Sequence, residues 1–271
     1  MDIYNESGFS IARFKIKDSD SNYNFIVWCT QTLECAVIDP IDPIILLNFI
    51  RDNDLMVKYI INTHCHPDHI SGNDPILKVS LSKISKALVH PLGKELIGTR
   101  YGTVDEGDLV PVGNQEIRVI HTPGHCPEHI SLIIGNNIFV GDTLFLSGCG
   151  NTKFRGTTDV LYDTIANKIR TLPDEYRVFV GHDYAETNLE FALDLEPDNK
   201  AAKNKLEEVK KAIKDKKELS PTTIGEEKKY NPFLRFDEAS VIDELKKRNT
   251  KLKSNPKSVF TELRELRNEW I

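Results

Sequence analysis

The sequence predicts a mixed α/β (α+β) fold followed by a helical C-terminal domain, on three observations. Short apolar runs with strand character recur through the first 185 positions, interleaved with helix signals. After about Tyr184 the strand signals stop, and Lys/Glu-rich segments of helical period take over. The 271 residues are 39% hydrophobic and 28% charged, which suits a real core and one large domain, or a larger plus a smaller one. These observations place a β-rich mixed domain at 1–185 and a helical domain at 186–271.

The elements follow in chain order. Residues 10–17 alternate apolar and polar side chains, with Ile11, Phe14 and Ile16 on the apolar side, and read as a strand. Residues 25–29 and 35–38 are two more strands. A helix over 44–50 follows the start signal Asp42-Pro43. Residues 57–61 form a short β-branched run, and Thr63 then opens a His-rich segment. Helix is expected in parts of 71–91 and over 160–170, and strands at 117–120, 130–134, 138–140 and 178–180. Beyond these, 201–217 is a helix with Leu206, Val209 and Ile213 on one stripe. Its Lys residues are offset by Glu207, Glu208, Asp215 and Glu218, as on a solvated face. The segment 220–225 breaks the helix, and 239–248 and 258–270 are two further helices.

Composition narrows the function. Lys+Arg is 35 against Asp+Glu 41, a net charge of −6, which argues against a general nucleic-acid binder. The five cysteines are odd in number and hold no CxxC pair, so they fit neither a disulfide framework nor a Cys-based zinc site. They read as reduced thiols of an intracellular protein. The start Met1-Asp2-Ile3-Tyr4-Asn5-Glu6 is acidic where a signal peptide is basic. No apolar stretch approaches the ~20 residues of a membrane helix. A soluble, cytoplasmic protein is expected, without nucleic-acid or membrane partners.

The decisive segment is Thr63-His64-Cys65-His66-Pro67-Asp68-His69, with three imidazoles and a carboxylate in six positions. On a loop leaving the strand at 57–61 these side chains can converge, and imidazole and carboxylate are ligands for Zn²⁺, Fe or Mn²⁺. Three later segments put a candidate ligand at or just after a strand end: His121-Thr122-Pro123-Gly124-His125, Gly141-Asp142 and Gly181-His182. In each a Gly directly precedes the candidate, allowing a sharp turn or a close approach. His90, His121 and His129 read as structural or surface residues. A cluster of three His and one Asp is far harder to explain as structure, because each polar group would need its own partner.

These motifs resemble the metallo-β-lactamase superfamily, whose mark is HxHxDH, and within it the glyoxalase II (hydroxyacylglutathione hydrolase) family. Nearly the whole chain takes part. Ser21-Asn22-Tyr23-Asn24-Phe25, Ala36-Val37-Ile38-Asp39-Pro40, Gly141-Asp142-Thr143-Leu144-Phe145, Gly148-Cys149-Gly150 and Gly181-His182-Asp183-Tyr184 match. So do Leu195-Glu196-Pro197 with Asn199, and Tyr230-Asn231-Pro232-Phe233. The resemblance implies an αββα sandwich with a C-terminal helical, glutathione-binding domain. It implies two divalent metal ions, zinc first with iron or manganese as alternatives. One would take His64, His66 and His125, the other Asp68, His69 and His182, and Asp142 would bridge them. In the His121/His125 pair, the family places its ligand at the His after Pro-Gly. Asp39 is either a carboxylate behind a ligating His or merely a strand-end turn residue.

The implied chemistry is hydrolysis of a glutathione thioester of the S-D-lactoylglutathione type to glutathione and a 2-hydroxy acid. A hydroxide bridging the metals attacks the thioester carbonyl, with Asp142, Asp68, His64 and His66 at the reaction centre. No side-chain nucleophile is required, and Cys65, flanked by ligands, is expected to point away. For the substrate, the resemblance implies Tyr184, Lys153, Phe154, Arg264 and Arg267. The last two lie three apart on one face of the closing helix.

The chain departs from the family at 150–157, one residue longer than expected. Lys153 and Phe154 stand nearest a basic residue and a Tyr of the family pattern, and the Tyr hydroxyl is missing. The same region also resembles persulfide dioxygenases, sister enzymes that hold one iron by the equivalents of His64, His125 and Asp142. The helical tail with Asn231-Pro232-Phe233 and Arg264/Arg267 favours the hydrolase. A non-catalytic metal- or thiol-binding regulator is the reading of another class, and the intact ligand set does not recommend it. A nuclease of the superfamily is disfavoured by the net charge of −6.

Overall fold

The computed structural model describes residues 1–16, 19–79, 86–97 and 101–270. The chain forms two compact units, Met1–His121 with Glu128–Gly141, and Thr122–Pro127 with Asp142–Ile271.

In the first unit a seven-stranded sheet runs in the order β1 (Asp2–Asn5), β2 (Phe9–Lys15), β3 (Tyr23–Cys29), β4 (Glu34–Ile38), β5 (Met56–Ile61), β6 (Lys86–Val89), β7 (Gly102–Thr103). Neighbours are antiparallel up to β4 and parallel from β4 to β7. Parallel neighbours need crossovers, and these carry α1 (Pro43–Asp52), α2 (Pro67–Ile70), α3 (Asn73–Val79) and α4 (Pro91–Ile97). Asp42 caps α1 by accepting from the Ile44 and Ile45 amides, and Pro43 opens the first turn. An antiparallel meander follows: β8 (Leu109–Val112), β9 (Gln115–His121), β10 (Ile130–Ile134) and β11 (Asn137–Gly141).

Strands β2, β3 and β4 are buried almost throughout because both faces of the sheet are covered. One face packs Phe14, Ile26 and Val37 against Leu46, Phe49 and Ile50 of α1 and Ile76 of α3. The other meets the meander, where Phe25 and Phe139 pack edge to face at 5.1 Å.

The second unit begins its regular structure with a hairpin of β12 (Leu144–Phe145) and β13 (Gly148–Cys149). Then come α5 (Thr158–Thr164), which widens into a π turn to Ile169, β14 (Arg177–Val180), α6 (Ala185–Leu195) and α7 (Lys200–Asp215). The chain closes with β15 (Thr222–Thr223), α8 (Ile224–Tyr230), α9 (Ala239–Arg248) and α10 (Pro256–Glu269). Leu189, Ala202, Val209 and Tyr230 form one core. Phe233 and Phe260, both fully buried, anchor another with Tyr162 and Phe236. Asn199 caps α7, and Thr223 with Glu226 forms a capping box on α8.

Some local expectations fail for identifiable reasons. Helix is present in part of 71–91, as expected, in α3, but strand β6 at Lys86–Val89 goes unread; the stretch 80–85 between them lies outside the described residues. β6 is a short parallel strand with three of its four residues buried, so it shows no alternation to betray it. The strand expected over 10–17 ends at Lys15, and Lys17 lies outside the described residues. Strand structure does not stop at Tyr184, since Thr222 and Thr223 pair antiparallel with β14 inside the segment read as a loop. At the start of helix α6 the N-cap residue Tyr184 makes no capping bond, and Asp183 Oδ1 accepts from the Ala185 amide instead.

Candidate metal centre

The first group of candidate ligands leaves β5. Strands β4 and β5 run parallel, so their C-terminal ends lie side by side, with Asp39 beyond one and Thr63 beyond the other. Asp39 is buried and takes a left-handed backbone, φ +48°, which Asp tolerates better than most residues. Its Oδ1 accepts from the Thr63 amide at 2.7 Å, and its Oδ2 from the Thr63 hydroxyl at 2.6 Å. The same Oδ2 lies 3.0 Å from His69 Nδ1. Asp39 therefore stands behind a candidate ligand, His69, and also occupies the strand-end turn.

These bonds assign tautomers. A carboxylate only accepts, so His69 carries its proton on Nδ1 and turns a bare Nε2 toward Asp68, whose Oδ2 is 3.6 Å away. The Thr63 hydroxyl spends its proton on Asp39, so its lone pair accepts from His64 Nδ1 at 3.1 Å, leaving His64 Nε2 bare as well. His64 Nε2 and His66 Nδ1 face each other at 3.0 Å, a separation that requires a proton or a cation between them. Asn22 is fully buried and donates to both the Asp68 carboxylate and its main-chain carbonyl, each at 3.1 Å. One expectation changes here. Only His64 and His66 stand on a loop, whereas Asp68 and His69 occupy the single-turn helix α2, entered through Pro67.

The remaining histidines of this unit keep structural roles. His129 is fully buried and stacks on the His64 ring with centroids 5.0 Å apart. Cys65 packs against Gly93, where an added Cβ would lie 2.6 Å from its Sγ. His90, Asp105 and His121 bring three donor atoms together, but the two rings are stacked 4.1 Å apart and only 13° from parallel. A metal binds in the plane of each imidazole, and parallel planes do not share such a point. His90 Nδ1 also accepts from the Leu92 amide at 3.2 Å, which places its proton on Nε2, facing Asp105. Burial and the adjacent His121 hold His90 below the ordinary imidazole pKa.

In the second unit His125, Asp142 and His182 come together. Asp142 presents Oδ2 to His125 Nε2 at 3.7 Å and Oδ1 to His182 Nε2 at 3.4 Å, so each carboxylate oxygen faces a different imidazole. That is the shape a bridging carboxylate needs. His125 directs Nδ1 at the Asn151 carbonyl, 2.7 Å away, and His182 directs Nδ1 at the Tyr184 hydroxyl, 3.2 Å away. The Asn151 carbonyl only accepts, so His125 donates from Nδ1 and turns Nε2 inward for a cation, while the Tyr184 hydroxyl holds the outer nitrogen of His182. Imidazoles held with Nε2 inward, beside a carboxylate, are the donor set of a divalent metal site.

Beside this group lies a cavity of about 220 Å³ within the same unit. Of the expected substrate residues, Lys153, Tyr184, Arg264 and Arg267 line it, whereas Phe154 is 57% exposed and does not. Three cations and no carboxylate line it, which favours an anionic guest. Arg267 donates to Asn188 Oδ1 at 3.2 Å, and burial together with the nearby Arg264 lowers its pKa. Arg264 is almost wholly buried and donates to the Cys149 and Gly150 carbonyls. Asn188 and Trp270 also line the cavity and were missed in the sequence, as was the Asn151 carbonyl. A main-chain acceptor has no sequence signature beyond its place after Gly148-Cys149-Gly150.

Residues 20–182 match the metallo-beta-lactamase superfamily, and residues 183–270 match the family described as hydroxyacylglutathione hydrolase C-terminus. The chain is 38% identical over 255 residues to the hydroxyacylglutathione hydrolase of Polaromonas sp. (strain JS666), covering 92% of this chain and 95% of that protein. It is 37% identical over 255 residues to the same-named protein of Nitrosococcus oceani, at 92% and 95% coverage. Among solved structures it resembles ETHE1 from Myxococcus xanthus, with a TM-score of 0.66 and 25% identity, covering 96% of this chain and 99% of that one. A metallo-beta-lactamase from Staphylococcus aureus subsp. aureus COL shares the fold at TM-score 0.65 and 20% identity, covering 97% of this chain and 72% of that one. The fold is therefore that of the metallo-β-lactamases, extended by a helical C-terminal region.

Proposed function

The chain belongs to the hydroxyacylglutathione hydrolase family of the metallo-β-lactamase superfamily, and from that membership we propose that it hydrolyses a glutathione thioester of the S-D-lactoylglutathione type to glutathione and a 2-hydroxy acid. This is the thioester-cleaving step of methylglyoxal detoxification. The observation that carries the reading within the site is Asp142, whose two oxygens face the Nε2 atoms of two different imidazoles.

In this proposal His64, His66 and His125 hold one metal, and Asp68, His69 and His182 the other, with Asp142 serving both. Zinc suits the imidazole and carboxylate donors, and iron or manganese could replace it. A divalent pair so held would supply hydroxide near neutral pH and Lewis acidity for the thioester carbonyl. The protein's own contribution is orientation: Asp39 holds His69, Thr63 holds His64, Asn151 holds His125 and Tyr184 faces His182. The departing thiolate is a good leaving group, so no strong general acid is demanded. Residues 186–271 act as the substrate-binding domain, where Arg264 and Arg267, with Lys153, receive the carboxylates of the thiol carrier. A reducing, cytoplasmic setting fits five cysteines of which none is in a disulfide.

The experiment is a comparison of acyl carriers. The reading expects a higher kcat/KM for lactoyl thioesters of glutathione than for the same acyl group on coenzyme A or a simple thiol. Equal or reversed preference would contradict it.

A further inference from the structure

We propose that Arg264 is a positioning residue for the metal ligand His125, acting through the turn Cys149-Gly150-Asn151, besides lining the cavity. The inference rests on the reading of His125 as a ligand.

Arg264 lies on α10, only 4% exposed. A buried guanidinium normally has a carboxylate partner, because an unpaired buried charge is strongly unfavourable. Among the described residues Arg264 makes no salt bridge. Its Nη1 instead donates to the Cys149 carbonyl at 2.9 Å and the Gly150 carbonyl at 3.3 Å, with Cys149 Sγ 3.6 Å away. The guanidinium carbon sits 5.2 Å from the centre of the Phe233 ring, which fixes the side chain from behind. The Nη1 end of the guanidinium is thus committed to two carbonyls of one turn.

The other side of that turn is the ligand group. The Asn151 carbonyl accepts from His125 Nδ1 at 2.7 Å. The Gly150 amide donates to the Thr143 carbonyl at 3.4 Å, next to Asp142. A Cβ on Gly150 would overlap the Asp142 carbonyl oxygen and meet His125 Nδ1 at 3.1 Å, so the turn packs directly on both side chains' supports. Releasing Arg264 frees the carbonyl plane of 149–150, and the acceptor that holds His125 loses its anchor. Arg267 is the internal comparison: it donates to Asn188 rather than to the turn.

The test uses the full-length protein stripped of metal and titrated with zinc against a competing chromophoric chelator. The panel is Arg264→Ala, Arg264→Lys, Arg267→Ala and His125→Ala. The proposal expects Arg264→Ala to weaken metal binding roughly 10- to 100-fold, the usual loss for a group that orients a ligand. It expects kcat to fall along with a raised KM, and Arg264→Lys, which keeps a charged donor on a shorter side chain, to lie between. Arg267→Ala should raise KM alone and keep wild-type metal affinity. Wild-type affinity in the Arg264 variants would overturn the proposal, and Arg264→Lys decides alone if Arg264→Ala does not fold. His125→Ala separates the underlying reading, which fails if that variant binds metal as the wild type does.

Discussion

His69 Nδ1 lies 3.0 Å from Asp39 Oδ2, thirty positions earlier in the chain, on a carboxylate that also takes both donors of Thr63. One buried side chain thereby sets the tautomer of His69 directly and that of His64 through the Thr63 hydroxyl. Asp39→Asn keeps the left-handed backbone tolerable and the shape nearly constant, but puts an amide N–H where an acceptor is needed. Metal affinity should fall about 10- to 100-fold, read by competition with a chelator, with turnover falling in parallel.

Asp142 faces His125 and His182 with separate oxygens. Asp142→Ala should cost more than the loss of an orienting group. Turnover should drop by well over about a hundredfold, and metal content per chain should fall short of the wild type. Metal analysis of the purified variant beside its kinetics checks both.

The Asn231 side chain organises the β12–β13 hairpin. Its Nδ2 donates to the Phe145 and Gly148 carbonyls and to Glu227, and its Oδ1 accepts from the Phe233 amide. All of this is buried. Asn231→Ala leaves several polar groups without partners, at about 1–3 kcal/mol each before relaxation, so a loss of about 2–4 kcal/mol is expected in denaturant unfolding.

Four of the five thiols should react in order. Cys65 is half-buried and should react with an aromatic disulfide reagent first. Cys29 is buried; its desolvation works upward, but the Thr32 hydroxyl and the amides of Asn114, Thr32 and Gln31 outweigh it and draw its pKa down to about 7. It should follow slowly as a thiolate near pH 8. Burial pushes Cys149 up to about 11 and Cys35 up to about 12, so these two stay protonated and react only on unfolding.

The candidate ligands were legible because metal chemistry uses few residue types and this chain packs them at strand exits. The helical tail was legible from its period. What stayed hidden has physical reasons. Strand β6 is short and mostly buried, so it carries no alternation, and β15 is two residues that exist only through pairing with β14. Asn22, Asn151 and Asn188 act through single amides or a main-chain carbonyl, chemistry that any polar position could supply. Arg264 was legible as a basic residue on the right helical face, but its burial against two carbonyls is a tertiary fact.

The most direct test is to incubate the purified, metal-loaded protein with S-D-lactoylglutathione and follow thioester loss and free thiol together. Hydrolysis predicts the two in equal amounts, abolished by chelation and restored by added divalent metal. No turnover of the thioester, with oxygen uptake on glutathione persulfide instead, would contradict it.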